Sequence, residues 1–212
     1  MKIALIGASG FVGSAILDEA VSRGHHVTAI VRDTSKVAPH PQITTVAVDA
    51  QDPQALAEVL KGQDRVISAY NPGWSAPDIH DQYLKGANAI VEAAKAAHSW
   101  LLVVGGAGSL EIAPGVQLVD TPDFPAEWKQ GALAARDGLT ALRREAALDW
   151  RFVSPPVFLE PGEKRGGYRL GGDQVLFSGD KPAGITVGDL ANAVLNEAEQ
   201  PAHLRQRFTL GY

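Results

Sequence analysis

Hydrophobic positions along this chain fall into two alternating textures. Short β-branched runs come at Ile3–Ile6, Val27–Val31, Thr44–Val48, Arg65–Ala69 and Trp100–Val104. Between them, at Val12–Arg23, Pro53–Leu60 and Ile79–Ala97, apolar residues recur every three to four positions, the helical period. In the last segment Tyr83, Ala87, Ile90, Val91 and Ala94 form one stripe, which is expected to lie against a sheet. Such alternation predicts βαβ units and a parallel sheet, and strands that are apolar nearly throughout predict helices on both faces. The expected fold is α/β: a Rossmann-type doubly wound parallel sheet with a small C-terminal, substrate-side extension.

After Val104 the texture changes. Gly105-Gly106-Ala107-Gly108-Ser109 leads into a segment with Pro114, Pro122 and Pro125, too long for a simple connector and therefore a candidate functional loop. A helix is expected over about Ala126–Ala147 and a strand at Trp150–Ser154, which Pro155-Pro156 stops because proline cannot continue the ladder. Short strands around Tyr168–Leu170 and Val175–Phe177, a helix over Gly188–Glu199 and a closing strand at Arg207–Leu210 complete the pattern. With no repeat or linker, residues 1–212 read as one domain, with 1–154 as the cofactor-binding part and 155–212 as a substrate-side cap with closing elements.

Composition narrows the chemistry. A net charge of −5 argues against a nucleic-acid surface, which needs clustered Lys and Arg. The absence of Cys removes disulfides, thiolate metal sites and thiol nucleophiles. The six His are scattered without metal-ligand spacing, so no metal is expected and they read as surface and turn residues. No apolar stretch reaches membrane-spanning length and no leader pattern opens the chain, so no membrane partner and a cytoplasmic location are expected. The charged face near Arg136, Arg143, Arg144 and Glu145 is expected to be solvated.

Gly7-Ala8-Ser9-Gly10-Phe11-Val12-Gly13 carries the strongest motif, because it follows a strand directly and opens a helix. Gly7 suits a tight turn, Gly10 a close approach of a phosphate, and Gly13 close contact of helix with strand, while the free amides of the helix start would hold a pyrophosphate. No Lys follows the glycines, so this is no Walker loop, and Phe11 stands two after Ser9 where a nucleophile elbow requires Gly. The second strand ends in Arg32, at the position that reads the adenosine ribose. A guanidinium there suits a 2′-phosphate, with Ser9 and Lys36 as helpers, and the alternative is Asp33 as the ribose ligand. NADP(H) is therefore the expected cofactor, with NAD(H) as the second option. Asp49, next to Ala50, is placed to accept from the adenine amino group, and Asp52 to cap the helix after Pro53. Ser68, Ala69 and Tyr70 should lie along the cofactor, since ligands bind at the carboxyl ends of such strands.

The segments GASGFVG, IVRD, VVGGAGSL, LDWRFVSPP and YRLGGDQ resemble the atypical short-chain dehydrogenase/reductase superfamily over nearly the whole chain. Within it the chain resembles in particular the NAD(P)H-binding group often labelled NADH-flavin reductases, with NmrA-like relatives. The resemblance implies a nicotinamide-dependent reductase acting on a flat, conjugated small molecule. Standard members use Tyr and Lys four residues apart, but here Tyr70, Tyr83 and Tyr168 are followed at that spacing by Trp74, Ala87 and Gly172, and Tyr212 by nothing. Flavin or quinone reduction tolerates this loss, because hydride transfer to an electron-poor ring leaves delocalised charge.

On that basis Ser109 is the candidate catalytic polar group beside the nicotinamide, with a turn or capping role as the alternative. Gly105, Gly106 and Pro155 are expected beside the cofactor, and Trp74, Trp128, Phe158 and Tyr168 as an aromatic substrate wall. Two other functions stay open: a non-catalytic NADP(H) sensor of the NmrA-like kind, and an epimerase or isomerase. The oligomeric state is left open between monomer and homodimer.

Overall fold

A computed structural model describes all 212 residues. Five parallel strands carry the first half of the sheet: β1 (Lys2–Ile6), β2 (His26–Val31), β3 (Ile43–Ala47), β4 (Arg65–Ser68) and β5 (Trp100–Val104). Three more come from the second half: β6 (Asp149–Ser154), β7 (Arg169–Gly171) and β8 (Gln206–Gly211). Their spatial order is β7-β8-β6-β5-β4-β1-β2-β3, parallel throughout except for β7, which pairs antiparallel with β8. Strand order reverses at β1, between β4 and β2, and such a switch point opens a crevice at the carboxyl edge of the sheet.

Five helices cover the two faces: α1 (Phe11–Ser22), α2 (Pro53–Leu60), α3 (Ile79–Ala96), α4 (Ala126–Leu142) and α5 (Val187–Glu199). On one face Ile16, Leu17 and Ala20 of α1 meet Leu190 and Val194 of α5 over Ile3, Leu5 and Val27. On the other, Leu56 and Leu60 of α2, Ile90 and Ala94 of α3 and Leu139 of α4 cover Ala4, Ile6, Leu101 and Phe152. Burial on both faces explains why the central strands read as continuous apolar runs. The stripe expected on α3 is largely inward, with Tyr83, Ile90 and Ala94 buried. No helix is long and apolar enough to cross a membrane.

Several expectations change in detail. Helix α4 ends at Leu142, not near Ala147: the amides of Arg144 and Glu145 turn back to Ala141 and Leu142, and the Trp150 indole donates to the Glu145 carbonyl, fixing a tight turn that buries Leu148. The segment after Ser109 forms a small two-stranded ribbon, Glu111–Ala113 with Val116–Gln117, around Gly115. Residues 155–212 do more than close the site, since β8 enters the main sheet beside β6 and α5 packs on α1. His25 is buried, between the N-terminal amine and Glu199, and so is neither a surface nor a turn residue. The charged face is at the surface as expected, Arg143 and Arg144 being exposed and Arg136 and Glu145 half-buried, and it carries ion pairs of Arg136 with Asp120, Arg143 with Asp173, and Glu145 with Lys95.

Loop 160–168 is held by a buried carboxylate. Thr186 caps α5 by accepting from the Asp189 amide. The Asp189 side chain accepts from the amides of Arg165 and Gly166 and from the Tyr212 hydroxyl at 2.6 Å. Burial alone would raise the Asp189 pKa, but the bonds from Tyr212, Gly166, Arg165 and Thr186 hold it below the ordinary carboxylate value.

Candidate dinucleotide site

The turn between β1 and α1 is built so that only glycine fits at two of its positions. Gly7 has φ +80°, and a Cβ there would lie 2.7 Å from the Ala69 carbonyl oxygen, so the backbones of the first and fourth strand ends touch. The Gly7 amide donates to Ile30 at 3.0 Å, tying the loop to β2 as well. At Gly13 a Cβ would come 2.0 Å from the Gly7 oxygen, so the first turn of α1 sits directly on the loop. Gly10 is different: a Cβ there would meet only the Gly7 oxygen, at 3.4 Å. Its missing side chain is not demanded by protein contacts and keeps the approach to the helix start clear. No side chain caps α1, so its first-turn amides are unpaired within the helix and present a positive dipole end. These features fit a diphosphate at the amides of Phe11, Val12 and Gly13.

Parallel register brings the other expected residues to the same edge. Ile6 pairs with Ser68, Ser68 with Val103, and Val104 with Val153, so Gly7, Ala69, Gly105 and Pro155 leave the sheet side by side. Gly105 is seated over the Phe152 ring, which a Cβ would overlap. Asp49 is exposed, and one of its oxygens accepts from the Gln51 amide, while Ala50 is buried beneath it. Tyr70 lies across α3 at Gly86, where a Cβ would fall 2.3 Å from its ring. Its hydroxyl donates to the Gln82 carbonyl at 3.0 Å and accepts from Gln51 at 3.4 Å. Burial raises the Tyr70 pKa; the Gln51 bond opposes this, and Asp49 and Arg32 act in opposite directions.

At the end of β2 the two rival ribose readers part company. Asp33 accepts from both the amide and the hydroxyl of Ser35, at 3.0 and 2.7 Å, capping the turn Thr34–Lys36. Those bonds hold its pKa below the ordinary value. Arg32 is exposed and has no ion pair or hydrogen-bond partner, and Lys36 in the following turn and Ser9 in the glycine loop are exposed too.

The acceptor side is less uniform. Trp74 (60% exposed) lies against α4 at Gly131, where a Cβ would be 2.6 Å from its ring, and Trp128 (54% exposed) stands one turn earlier on that helix. Tyr168 is elsewhere: its hydroxyl donates to Asn192 and accepts from Asn196 on α5, and it packs with the α1/α5 face. Phe158 is exposed on a short strand paired with Gly184–Thr186. Only Trp74 and Trp128 therefore meet at one helix. Ser109 is buried, and its hydroxyl accepts from Arg207. Where α4 faces the turn after β5 it offers only small residues: Gly108 touches Ala132 and Gly106 lies near Ala135. Neither a tyrosine nor a lysine projects there.

A cavity of about 60 Å³ between α3 and α4, lined by Tyr83, Ile90, Gly138 and Phe152, is too small for a ring system, against several hundred Å³ for ordinary ligand pockets. Burial pushes the Tyr83 phenol up to about 12. No group of three or more His, Asp or Glu side chains is arranged to hold a metal ion.

A family model described as NAD(P)H-binding matches residues 7–201, from the first loop glycine to just beyond α5. The chain belongs to this NAD(P)H-binding family. Its relatives include the uncharacterised protein YwnB of Bacillus subtilis, 41% identical over 99% of this chain and 98% of its own. A solved structure from Bacteroides thetaiotaomicron, described as a candidate epimerase, is 42% identical with a TM-score of 0.93 and covers 100% of this chain and 96% of that one. Another, from Streptococcus pneumoniae and described as a candidate NADH-flavin reductase, is 37% identical with a TM-score of 0.89 and covers 100% and 99%. Membership in the NAD(P)H-binding family agrees with the glycine geometry, and the Rossmann-type fold is shared with these structures.

Two sets of residues beside the site escape sequence reading. Gln51 and Gly86, which seat Tyr70, lie on separate elements with no motif between them. Arg207 and Asp173, which enclose Ser109, come from β8 and from the turn after β7. The run Gly171-Gly172-Asp173 signals a turn, but nothing in it points to Arg207.

Proposed function

We propose that this protein is an NADP(H)-dependent reductase that delivers hydride to a flat, conjugated acceptor such as a flavin or quinone at the carboxyl edge of its sheet. One observation carries the reading: at the end of β2 the guanidinium of Arg32 is exposed and unpartnered, whereas the neighbouring carboxylate is engaged with Ser35. An additional phosphate would find a free cation, while a ribose diol would find only Oδ2 of Asp33 open, since Ser35 holds Oδ1 through both its amide and its hydroxyl. In this reading the amides of Phe11, Val12 and Gly13 hold the diphosphate, Asp49 and Tyr70 border the adenosine, and Gly105, Gly106 and Pro155 leave room beside the nicotinamide. When bound, NADPH supplies a hydride, which together with one solvent proton completes a two-electron reduction and leaves NADP⁺.

The lack of a tyrosine or lysine where α4 faces the turn after β5 favours an acceptor whose reduced form spreads its charge over a ring, because neither side chain is there to donate a proton to an isolated alkoxide. The same feature also supports the sensor reading, in which the dinucleotide binds without turnover. Calorimetry with NADPH and NADH, followed by NADPH oxidation with FMN, riboflavin and 1,4-naphthoquinone, tests both. Tighter binding of NADPH with turnover above the free-solution rate supports the reductase. Tight binding without turnover supports the sensor, and no binding of either dinucleotide overturns both.

A further inference from the structure

Arg207, on β8, has a side chain only 2% exposed. Its Nε donates to the Asp173 carboxylate at 2.7 Å and its Nη2 to the Asp173 carbonyl at 3.1 Å. Nη1 donates to two hydroxyls, Ser109 at 3.2 Å and Ser154 at 3.3 Å. A guanidinium has donors only, so both serine oxygens are acceptors here and each hydroxyl proton must point away from Arg207. Neither side chain has any other partner in the protein. A buried hydroxyl proton without an acceptor is a costly arrangement that a ligand oxygen would relieve.

The two serines differ in where they stand. Ser154 is fully enclosed, and Thr209 donates to its carbonyl at 2.7 Å. Ser109 closes the turn that leaves β5 at the carboxyl edge, the edge at which Gly105 and Gly106 emerge. Resting on the reductase reading above, we propose that Arg207 is a positioning residue that makes Ser109 a dedicated hydrogen-bond donor to a neutral carbonyl or carboxamide oxygen of the reacting pair. Because the serine oxygen is held by a cation, its proton is polarised outward, and the bond strengthens as negative charge gathers on the oxygen it meets. That oxygen belongs either to the nicotinamide carboxamide or to the ring of the acceptor. In this arrangement Ser109 neither accepts a proton nor attacks a substrate.

A double-mutant cycle with Ser109→Ala and Arg207→Met tests the assignment, reading NADPH Kd by calorimetry, kcat and KM with FMN and 1,4-naphthoquinone, and Tm. Each single variant is expected to lose about tenfold, the upper end for a hydrogen bond between neutral groups, and the double variant to lose no more than either alone. A loss in NADPH affinity places the oxygen on the cofactor carboxamide; a loss in kcat or acceptor KM at unchanged Kd places it on the acceptor ring. Losses that multiply in the double variant, or a lowered Tm with kinetics and Kd within twofold of wild type, overturn the proposal. Should Arg207→Met not fold, Ser154→Ala against Ser109→Ala decides. Both remove one acceptor from Arg207, and only the Ser109 variant is expected to alter kinetics or Kd; equal effects overturn the proposal. If no acceptor turns over, the cycle is read on NADPH affinity, and unchanged affinity overturns it. Wild-type protein that binds no dinucleotide removes the reductase reading and this inference together. Wild-type binding with an indifferent Ser109 removes this inference alone.

Discussion

The two halves of the carboxyl edge solve the problem of holding a ligand in opposite ways. Around β1 and β2 the contacts belong to the backbone: glycines where a Cβ would fall 2.0 and 2.7 Å from a carbonyl oxygen, a helix start without a cap, and one cation left without a partner. Around β5, β6 and β8 polar side chains are bonded to one another, with Arg207 gathering Ser109, Ser154 and Asp173. The first half is shaped for a ligand common to many proteins, and its free groups all face outward. The second half is rigid before any ligand arrives, and its specificity rests on the few protons and ring faces that remain free.

If that contrast is right, the largest effect comes from crowding the backbone half. Gly13→Ala drives a methyl group into the Gly7 carbonyl, and overpacking of this kind costs about 3 kcal/mol of stability at the upper end; a fall in Tm and loss of measurable NADPH binding are expected. A variant that keeps wild-type affinity would show that helix and loop can separate, which breaks the comparison. Asp189→Ala is next. It leaves the Arg165 and Gly166 amides and the Tyr212 hydroxyl without their acceptor, a loss of about 2–3 kcal/mol in chemical denaturation. Since the Asp189 pKa is held below its unfolded value, its contribution is present above the ordinary carboxylate range and is lost as pH falls through the lowered folded value. An acid transition that is the same in wild type and variant would contradict this.

Arg32→Ala addresses the free cation. NADPH affinity should fall by roughly 1.5–3 kcal/mol while NADH changes little, and equal losses for the two would hand the ribose to other residues. A smaller effect is expected from Gly131→Ala, whose methyl group would displace the Trp74 ring. With two of the four tryptophans, Trp100 and Trp150, buried, the emission change should report mainly the exposed pair, with acceptor KM rising a few-fold, about 1 kcal/mol for one ring contact, and NADPH Kd unchanged.

The smallest effect lies outside both halves. His80 contacts Asp137 at 3.1 Å and Asp81 at 3.2 Å, bridging α3 to α4. The Asp137 and Asp81 bonds raise its pKa above 6.5. Its contribution is therefore complete below the unfolded value and fades as pH rises through the folded one. His80→Gln should flatten that part of the stability profile, as read by Tm against pH; an unaltered profile would mean the bridge carries no net stability.

The same contrast governs how much could be read from the amino acids in order. Gly7, Gly10, Gly13 and Arg32 lie within one βαβ unit, so their places at the sheet edge follow from spacing, and Asp52 caps α2 as expected by accepting from the Ala55 amide. Alternating texture likewise set out the parallel strands. Tyr168 was grouped with the tryptophans because aromatic residues near a cleft look alike in one dimension, yet Asn192 and Asn196 draw it to the opposite face. Arg207 and Asp173 meet because β8 pairs with β7, and Arg207 reaches Ser154 because β8 also lies beside β6, long-range pairings that no local period encodes.

That late insertion also sets a timetable for assembly. Residues 169–171 leave the ribosome well before residues 206–211, yet β8 is their only partner in the main sheet. One margin of the molecule must therefore wait, unpaired, until residues 206–211 have been made, because its partner is distant in sequence. A chaperone that shields strand edges would find its target there during synthesis, whereas β1 has both its sheet neighbours as soon as β4 has been made.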